Sequence, residues 1–416
     1  MRLFILPQTL ACLSLYSCDA LVCRSQLRSS RRANSSVSFH GKVTSWLDES
    51  GISYQDLSIS QSPYRILGLG QNVEGNSFDI GLHILPTPTN QSSPISPTLC
   101  KALTDDNSKP FQTIIHLHQD VWNNKHEIVK ARISAKVKEV NRKYFARKTT
   151  LRRIDITTAI DFLQEHHLWG ATRSKFNYGL FDKDEMLVAV GTFSPRRHVQ
   201  RGGSSRRYRS HELIRYCSQR DGHVIGGITK LIAGFCRDFA PDDIVTCIDR
   251  DWGTGSGWES IGFDRVSVMP PLVMAVGDDG IRRYMVGAGI GKENQSSKDD
   301  RNGRPGISVE IFDKLENMTS CEEANNLLAS RHLYPVYDAG VERRILLVAK
   351  TKLDSKACLR RRELELEDMD DFKQTNAIDL WEHSIPTFPN EYYSSNSGIN
   401  SLLEYAKAAQ QNTSYE

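Results

Sequence analysis

The sequence lacks most of the short motifs that identify whole classes of protein. Its nine cysteines include no CxxC pair and stand at no paired spacing with histidine, so the sequence predicts buried thiols and no zinc site. It has neither a GxxxxGK phosphate loop nor a GxGxxG dinucleotide fingerprint. No segment after the N-terminal region approaches 18 consecutive apolar residues, so no membrane segment is expected in the mature chain.

The chain also lacks a strong charge of either sign. Its net charge is +3, and residues 1–42 hold six basic residues against one acidic residue, so the remainder is slightly acidic. The basic balance therefore gives no argument for nucleic-acid binding by the body of the protein. With 416 residues, 39% of them hydrophobic, the chain is long enough for two domains with cores.

Residues 1–42 have the composition of a targeting leader. The mostly apolar stretch MRLFILPQTLACLSLYSCDALVC is followed by RSQLRSSRRANSSVSFHGK, which is rich in Ser and Arg and contains no acidic residue. This order resembles the two-part plastid leaders of algae with complex plastids. A mitochondrial or secretory address, or an N-terminus with no address, stays open.

Strands and helices alternate through the middle of the chain. FQTIIHLH predicts a strand, NNKHEIVKARISAKVKEVNRKYF a helix, and ITTAIDFLQEHHL a second helix with Thr157 or Thr158 as N-cap. NYGLFDKDEMLVAVGTFSP is typical of a β-hairpin. These elements predict an α/β (α+β) fold, with a mixed sheet that has helices on its faces.

Other segments read as connections or appendages. Residues 86–110 are rich in Pro, Ser and Thr and predict a long loop, and residues 288–306 predict a linker. Residues 307–350 predict a helix followed by a C-terminal hairpin in YPVYDAGVERRILLVA. Residues 351–416 predict a polar, partly disordered tail.

A Gly-Gly pair stands at the start of the most amphipathic helical pattern. The stretch HVIGGITKLIAGFCRDFAPDDIVTCID predicts a loop, a helix and a buried strand, after a strand over 211–217. Backbone N–H groups at such a helix start can hold an anion. The alternative is that Gly226 and Gly227 serve only packing and turn geometry, and the sequence leaves both interpretations open.

The order of these elements resembles the GNAT superfamily of acyl-CoA-dependent N-acyltransferases. In that family the fourth strand leads into a Q/R-x-x-G-x-G/A loop that holds the pyrophosphate of coenzyme A, and HVIGGI is the matching stretch here. The resemblance implies acetyl-CoA, or another acyl-CoA, as cofactor and an amine as acceptor. It assigns the coenzyme loop to His223, Val224, Ile225, Gly226, Gly227 and Ile228.

The same resemblance extends to the chemistry. GSGWESIGF is similar to the family's helix after the fifth strand, but Trp258 stands where a Tyr often protonates the departing thiolate, and indole is not an acid at neutral pH. Glu212 is the candidate general base, with a solvated strand glutamate as the alternative. Asp249, Trp252 and Trp258 are the candidate residues of the substrate cleft.

A narrower resemblance covers residues 111–350. Segments such as IIHLHQDVWNNKHEIVKARI, HVIGGITKLI and YPVYDAG resemble, in this order, phage endonucleases of the very-short-patch-repair type that carry a C-terminal GNAT-like domain. It implies a degenerate endonuclease-like α/β region over 43–145 and a GNAT-like domain over 146–287. Asp79 lacks a companion carboxylate at strand spacing, so loss of nuclease chemistry is expected.

The basic stretch over 196–209 supports an alternative function. Its arginines could follow a phosphate backbone while Tyr208 stacks on a base, could contact the 3′-phosphate of coenzyme A, or could form a plain surface loop. We therefore expect a GNAT-fold N-acyltransferase, with the alternative of a nucleic-acid-binding protein that derives from a phage-type endonuclease and does not cleave.

Overall fold

The structure is a computed structural model. It describes residues 38–57, 62–71, 77–89, 96, 98–137, 142–200, 207–253, 255–269, 271, 273–284, 307–316, 318 and 321–348. Residues 1–37 of the predicted leader, the predicted linker and the predicted tail lie outside this part. The chain divides into two compact units, one up to Ile52 and one from Ser53 onward.

The first unit contains one described helix, α1 (Phe39–Glu49). The side chain of Ser38 accepts a hydrogen bond from the Gly41 N–H at 3.1 Å, which caps the helix at its first turn. Apolar residues at 39, 43, 46 and 47 share one helical face. The predicted leader, which ends at residue 42, overlaps the beginning of this helix.

The second unit begins with a four-stranded sheet. Its elements are β1 (Tyr54–Leu57), β2 (Ile66–Gln71), β3 (Phe78–Leu85), helix α2 (Leu99–Asp105) and β4 (Phe111–His118). The strand order is β1-β2-β3-β4, with β3 and β4 parallel and α2 in the connection between them. The predicted loop over 86–110 is thus partly wrong, because Leu99, Cys100 and Leu103 bury one face of a helix within it.

The chain continues through a set of short elements. They are α3 (Gln119–Asn124), α4 (His126–Val137), β5 (Arg142–Phe145), a 3₁₀ turn (Ala146–Lys148), β6 (Thr150–Arg153) and α5 (Ile156–His166). The predicted helix over NNKHEIVKARISAKVKEVNRKYF ends earlier than expected, since its last four residues form β5. The N-cap of α5 is Asp155, not a threonine, because its carboxylate accepts the Thr158 N–H at 2.9 Å.

The central part of the chain supplies most of the largest sheet. Its elements are β7 (Phe176–Phe181), β8 (Leu187–Phe193), β9 (Arg197–Gln200), β10 (Arg207–Ser218), β11 (Gly222–Ile225), α6 (Gly227–Phe239) and β12 (Asp243–Asp249). The predicted hairpin is confirmed, since β7 and β8 pair in antiparallel fashion. The predicted amphipathic helix and following strand are confirmed as α6 and β12.

The remaining elements complete two sheets. They are a 3₁₀ turn (Arg250–Trp252), α7 (Ser256–Glu259), β13 (Asp264–Met269), β14 (Val273–Gly277), β15 (Arg282–Tyr284), α8 (Val309–Glu316), α9 (Cys321–Ser330), β16 (Leu333–Tyr337) and β17 (Val341–Leu347). The predicted C-terminal hairpin is wrong. β16 pairs with β14, whereas β17 lies between β12 and β13, so these neighbouring strands enter different sheets.

The eight-stranded sheet has the order β13-β17-β12-β10-β8-β7-β6, with β9 also paired to β10. Helix α6 packs on one face, where the rings of Phe235 and Phe193 stack with centroids 4.0 Å apart. Helix α5 packs its Phe162 and Leu163 with Val190. Because side chains alternate along a strand, Phe193 and Val190 point to opposite faces, so helices cover both. The predicted mixed α/β class is confirmed.

Candidate active site

Two neighbouring strands at the centre of the large sheet diverge. β10 and β12 run parallel and pair only from Ser210–Glu212 to Asp243–Val245. Beyond this point β10 stays paired with β8 as far as Ser218, and β12 stays paired with β17 as far as Asp249. Within the described structure, the two facing strand edges therefore present N–H and C=O groups that no strand pairs. We call the region between these two unpaired edges the gap. Unpaired strand edges suit an extended ligand with amide groups.

An irregularity in β10 marks the apex of this gap. Leu213 pairs with Phe193 and Arg215 with Thr192, which leaves Ile214 as the extra residue of a β-bulge. The hydroxyl of Thr246 donates to the Leu213 carbonyl at 3.0 Å and joins the two strands where they part. Bulges bend a strand and release backbone groups from the ladder, and they often adjoin active sites.

Helix α6 begins beside the far end of β10. Its N-cap is Gly226, in the left-handed conformation with φ of 73° and without a side-chain cap. The Ile228 N–H donates to the phenol oxygen of Tyr216 on β10. Burial raises the pKa of Tyr216 to about 12, so the phenol keeps its proton and can donate it in turn. The helix start thus presents backbone N–H groups and one hydroxyl.

Gly226 and Gly227 are each required for a different reason. A Cβ on Gly226 would meet only the Ala146 Cβ at 3.7 Å, so this glycine is needed for its positive φ. A Cβ on Gly227 would lie 2.9 Å from the Tyr216 hydroxyl and 3.0 Å from the Val224 Cβ, so this glycine is needed for close packing. The same pair therefore serves both turn geometry and packing.

The rest of the predicted coenzyme loop forms a short strand. β11 pairs in parallel with β5, and Val224 is buried while His223 points to solvent. Ile225 and its register partner Phe145 are exposed large hydrophobic residues, at 43% and 41%. The side chains of Arg147 and Lys148 lie 5.3 Å and 6.0 Å from the Phe145 ring. An apolar patch with two cations thus adjoins the start of α6.

Lys230 on α6 fixes this patch to the helix. Its ammonium donates to the Ala146 carbonyl at 2.7 Å and also to the Thr149 carbonyl. The 3₁₀ turn that carries Arg147 and Lys148 is therefore held beside the first turn of α6.

Several charged side chains lie around Glu212, beside the apex of the gap. Burial raises the pKa of Glu212, and the guanidinium groups of Arg197, Arg215 and Arg343 act in the opposite direction. On β12, desolvation and the Glu212 charge raise the pKa of the Cys247 thiol to about 12. Glu212 is therefore placed where a carboxylate can take up a proton.

Asp249, the last residue of β12, is held by two hydrogen bonds. The Asp249 carboxylate accepts the indole N–H of Trp169 at 2.8 Å and the Asp251 N–H at 2.9 Å. Trp252 is buried, and the Arg132 guanidinium lies over its ring, 5.0 Å from the ring centre. The indole therefore packs against Arg132. Asp249 and Arg132 also attract each other, which partly offsets the lowering of the Arg132 pKa by burial.

The turn after β12 is anchored in the protein interior. The Asp251 carboxylate accepts the Ala339 N–H at 2.8 Å, and Arg250 donates to the Ala339 carbonyl at 3.0 Å. Both side chains are buried. These bonds fix the position of the neighbouring Asp249.

Trp258 is separated from the other predicted cleft residues. It packs against the apolar cluster beneath α6, and its ring meets Phe263 edge-on with centroids 5.2 Å apart. Ile244 of β12 and Leu346 of β17 belong to that cluster, whereas Cys247 and Arg343 lie three positions away on the same two strands. Because strand side chains alternate, Trp258 lies on the other face of the sheet from Cys247 and Arg343.

The basic stretch is accessible only in part: Arg196 and His198 are exposed, whereas Tyr208 and Arg209 are buried. Tyr208 is 6% exposed, which leaves no ring face for a base, and this part of the prediction is wrong. Arg209 is buried and paired with Asp242 at 3.3 Å. Residues 201–206 lie outside the described part of the chain.

Sequence reasoning missed Tyr216, Trp169, Arg132 and Cys247. Only Tyr216 carried a signal, since it stands next to the predicted strand end before the Gly-Gly pair. The others lie far apart in sequence and meet only through the packing of α4 and the α5–β7 connection on the sheet.

The chain matches no known protein family, and no curated protein matches it. No helix in the described part is long and apolar enough to cross a membrane.

Proposed function

We propose that this protein is a GNAT-type N-acyltransferase that moves the acyl group of acetyl-CoA, or another acyl-CoA, to a primary amine. The observation that carries the proposal is the divergence of β10 and β12 after three residue pairs. An acyl-pantetheine arm is an extended chain with two amides, and an unpaired strand edge offers it hydrogen bonds of the kind a neighbouring strand would make.

The start of α6 suits the pyrophosphate of the coenzyme. The N–H groups of the first helical turn and the positive end of the helix dipole favour an anion there, typically by 0.3 to ~1 kcal/mol for the dipole alone. The Tyr216 hydroxyl adds a donor. The Phe145 and Ile225 patch offers an apolar surface for adenine, with Arg147 and Lys148 beside it for a 3′-phosphate.

The chemistry follows from the apex of the gap. The amine nitrogen attacks the thioester carbonyl, the C–N bond forms and the C–S bond breaks. Glu212 removes a proton from the attacking amine, and burial raises the pKa of its carboxyl group, which makes the carboxylate a stronger base. We assign stabilisation of the oxyanion to the N–H of Ile214, because this residue is the extra one in the bulge. The thiolate takes its proton from solvent, because Trp258 is no acid.

The acceptor enters beside Glu212 and Asp249. Asp249 and Glu212 attract an ammonium group, whereas Arg132, Arg215 and Arg343 favour negative or strongly polar groups elsewhere on the acceptor. This mixed lining supports a polar amine rather than an apolar one.

A matched pair of variants tests the coenzyme site. Asn and Asp both tolerate positive φ better than other side chains, and both cap helices well, so Gly226→Asn and Gly226→Asp should fold alike. Only the second places a negative charge at the proposed pyrophosphate site. Two unit charges about 5 Å apart at an effective dielectric of 20 repel by ~3 kcal/mol, which corresponds to roughly a hundredfold loss of affinity.

Isothermal titration calorimetry with acetyl-CoA measures this difference. We expect binding to wild type and Gly226→Asn, and a loss of about two orders of magnitude in Gly226→Asp. No binding to wild type, or equal binding to both variants, removes the assignment. A short oligonucleotide titrated over a range of salt concentrations tests the alternative, since binding that weakens steeply with salt supports a nucleic-acid partner. Import of residues 1–42 fused to a reporter tests the proposed plastid address.

A further inference from the structure

Two histidines on the four-stranded sheet lie close to a cysteine on the helix that connects their strands. His83 and His116 are direct register partners on the parallel strands β3 and β4, and Cys100 lies on α2, the helix that connects them. One imidazole nitrogen of each histidine and the Cys100 sulfur all lie within 4.8 Å of one another. All three side chains are fully buried.

The far nitrogen of each ring is held by a hydroxyl. Nε2 of His83 lies 2.9 Å from the Ser62 hydroxyl, and Nε2 of His116 lies 2.9 Å from the Thr104 hydroxyl. Thr104 donates its own proton to the Cys100 carbonyl at 2.8 Å, so its oxygen accepts from His116. A neutral His116 therefore carries its proton on Nε2 and has a lone pair on Nδ1.

The same arrangement is available to His83. The Ser62 hydroxyl lies 3.2 Å from the Tyr64 carbonyl and can donate there while it accepts from His83 Nε2. The two Nδ1 atoms are 2.9 Å apart, so with both protons on Nε2 their lone pairs face each other, and a cation between them removes the repulsion. With the other tautomer of His83 the pair forms a plain hydrogen bond.

The cysteine distinguishes these two arrangements. A plain hydrogen bond uses one nitrogen from each ring and gives the adjacent buried sulfur no role. Metal coordination uses all three groups, and outer hydroxyls on the Nε2 atoms are the usual supports of ligating histidines. A tetrahedral zinc ion, at ~2.0–2.1 Å from nitrogen and ~2.3 Å from sulfur, needs the two Nδ1 atoms only a few tenths of an ångström further apart than 2.9 Å. It needs the sulfur about 3.6 Å from each of them, a separation that falls inside the 4.8 Å within which the three atoms lie.

We propose that His83 Nδ1, His116 Nδ1 and Cys100 Sγ bind one Zn²⁺ ion, with a water molecule as fourth ligand. The hydroxyl bonds at both Nε2 atoms leave a lone pair on each Nδ1, so the imidazoles bind without losing a proton. The thiol must lose its proton to bind, so each zinc ion bound releases one proton to solvent. The metal joins β3, β4 and α2, which are otherwise linked across a long connection.

The test uses the full chain, stripped with a chelator and titrated with Zn²⁺ alone. Calorimetry in two buffers of different ionisation enthalpy gives both stoichiometry and protons released. We expect one zinc ion and about one proton per chain, and a melting temperature that rises by roughly 5–10 °C when zinc exceeds its dissociation constant a hundredfold. The absence of zinc binding by wild type overturns the proposal.

The matched variants are Cys100→Ser and Cys236→Ser, which alter two fully buried cysteines in different cores. We expect Cys236→Ser to bind as wild type does and Cys100→Ser to bind at least a hundredfold more weakly. Zinc binding that persists in Cys100→Ser assigns the metal to other thiols and overturns the site. Co²⁺ added to wild type is a readout independent of variant folding: a thiolate-to-cobalt band supports the site, and its absence contradicts it.

Discussion

The buried ion pair between Asp120 and Arg282 gives the sharpest test of what holds the second unit together. Asp120 is the second residue of α3 and Arg282 is the first of β15, 162 positions later. The guanidinium donates to both carboxylate oxygens, at 2.7 Å and 2.9 Å. The side chains are only 7% and 3% exposed, so solvent screens the pair little.

Asp120→Asn removes the charge and keeps the shape. An uncompensated guanidinium then stays buried, which costs about 3–5 kcal/mol for pairs of this kind. At ~2–4 °C per kcal/mol for a domain of this size, the melting temperature should fall by roughly 6–20 °C.

The matched control is Asp279→Asn. Asp279 pairs with Arg283 on the same hairpin at 2.5 Å, but the side chains are 44% and 25% exposed. Exposed pairs contribute about 0–1 kcal/mol, so this variant should melt less than ~4 °C below wild type. Equal melting temperatures for the two variants would refute the view that the buried pair is important.

The pH dependence of the same pair has a definite sign. Burial alone would raise the pKa of Asp120, but the charge and hydrogen bonds of Arg282 lower it below its unfolded value of about 3.9. The stabilisation is therefore present above pH ~4 and is lost as the pH falls through the folded pKa. Differential scanning fluorimetry from pH 3 to 7 should show wild type and Asp120→Asn converging in acid.

Three further predictions concern the candidate active site. Glu212→Gln should lower acyl transfer by ~10²–10⁴ and remove the rise of wild-type rate with pH, since a base works only when ionised; an unchanged profile excludes Glu212. Gly227→Ala should lose about 1–3 kcal/mol in chemical denaturation because its Cβ collides with Val224 and Tyr216, whereas Gly226→Asn should not; the reverse order contradicts the packing argument. Tyr216→Phe removes a hydroxyl donor from the proposed pyrophosphate site and should weaken acetyl-CoA binding measurably by calorimetry; unaltered affinity places the coenzyme elsewhere.

Local patterns predicted the elements that bury one continuous face. The hairpin of β7 and β8 follows from alternation around a polar turn, and α6 follows from apolar residues at helical spacing before Pro241. The N-cap of α5 was missed because three neighbouring polar residues can all cap. The backbone conformation at Asp155, which is extended, decides that this residue is the N-cap.

Strand pairing could not be predicted from neighbours in sequence. YPVYDAGVERRILLVA reads as a hairpin because two apolar runs flank a turn, yet β17 inserts between β12 and β13. A strand that pairs along both edges within a large sheet buries more apolar surface than a two-stranded hairpin does, and this gain is not visible in the local pattern.

The sequence by itself determined the α/β class, the β7–β8 hairpin, and the strand, helix and strand around the Gly-Gly pair, because periodicity and turn chemistry are local. The tertiary structure alone decided which side chains meet. It opened the gap between β10 and β12, set Trp258 on the far face from Glu212, and buried Tyr208. It also brought His83, Cys100 and His116 together, although their spacing along the chain had predicted no zinc site. Ligand spacing in sequence matters only within one element, whereas strands in register join residues that lie 33 positions apart.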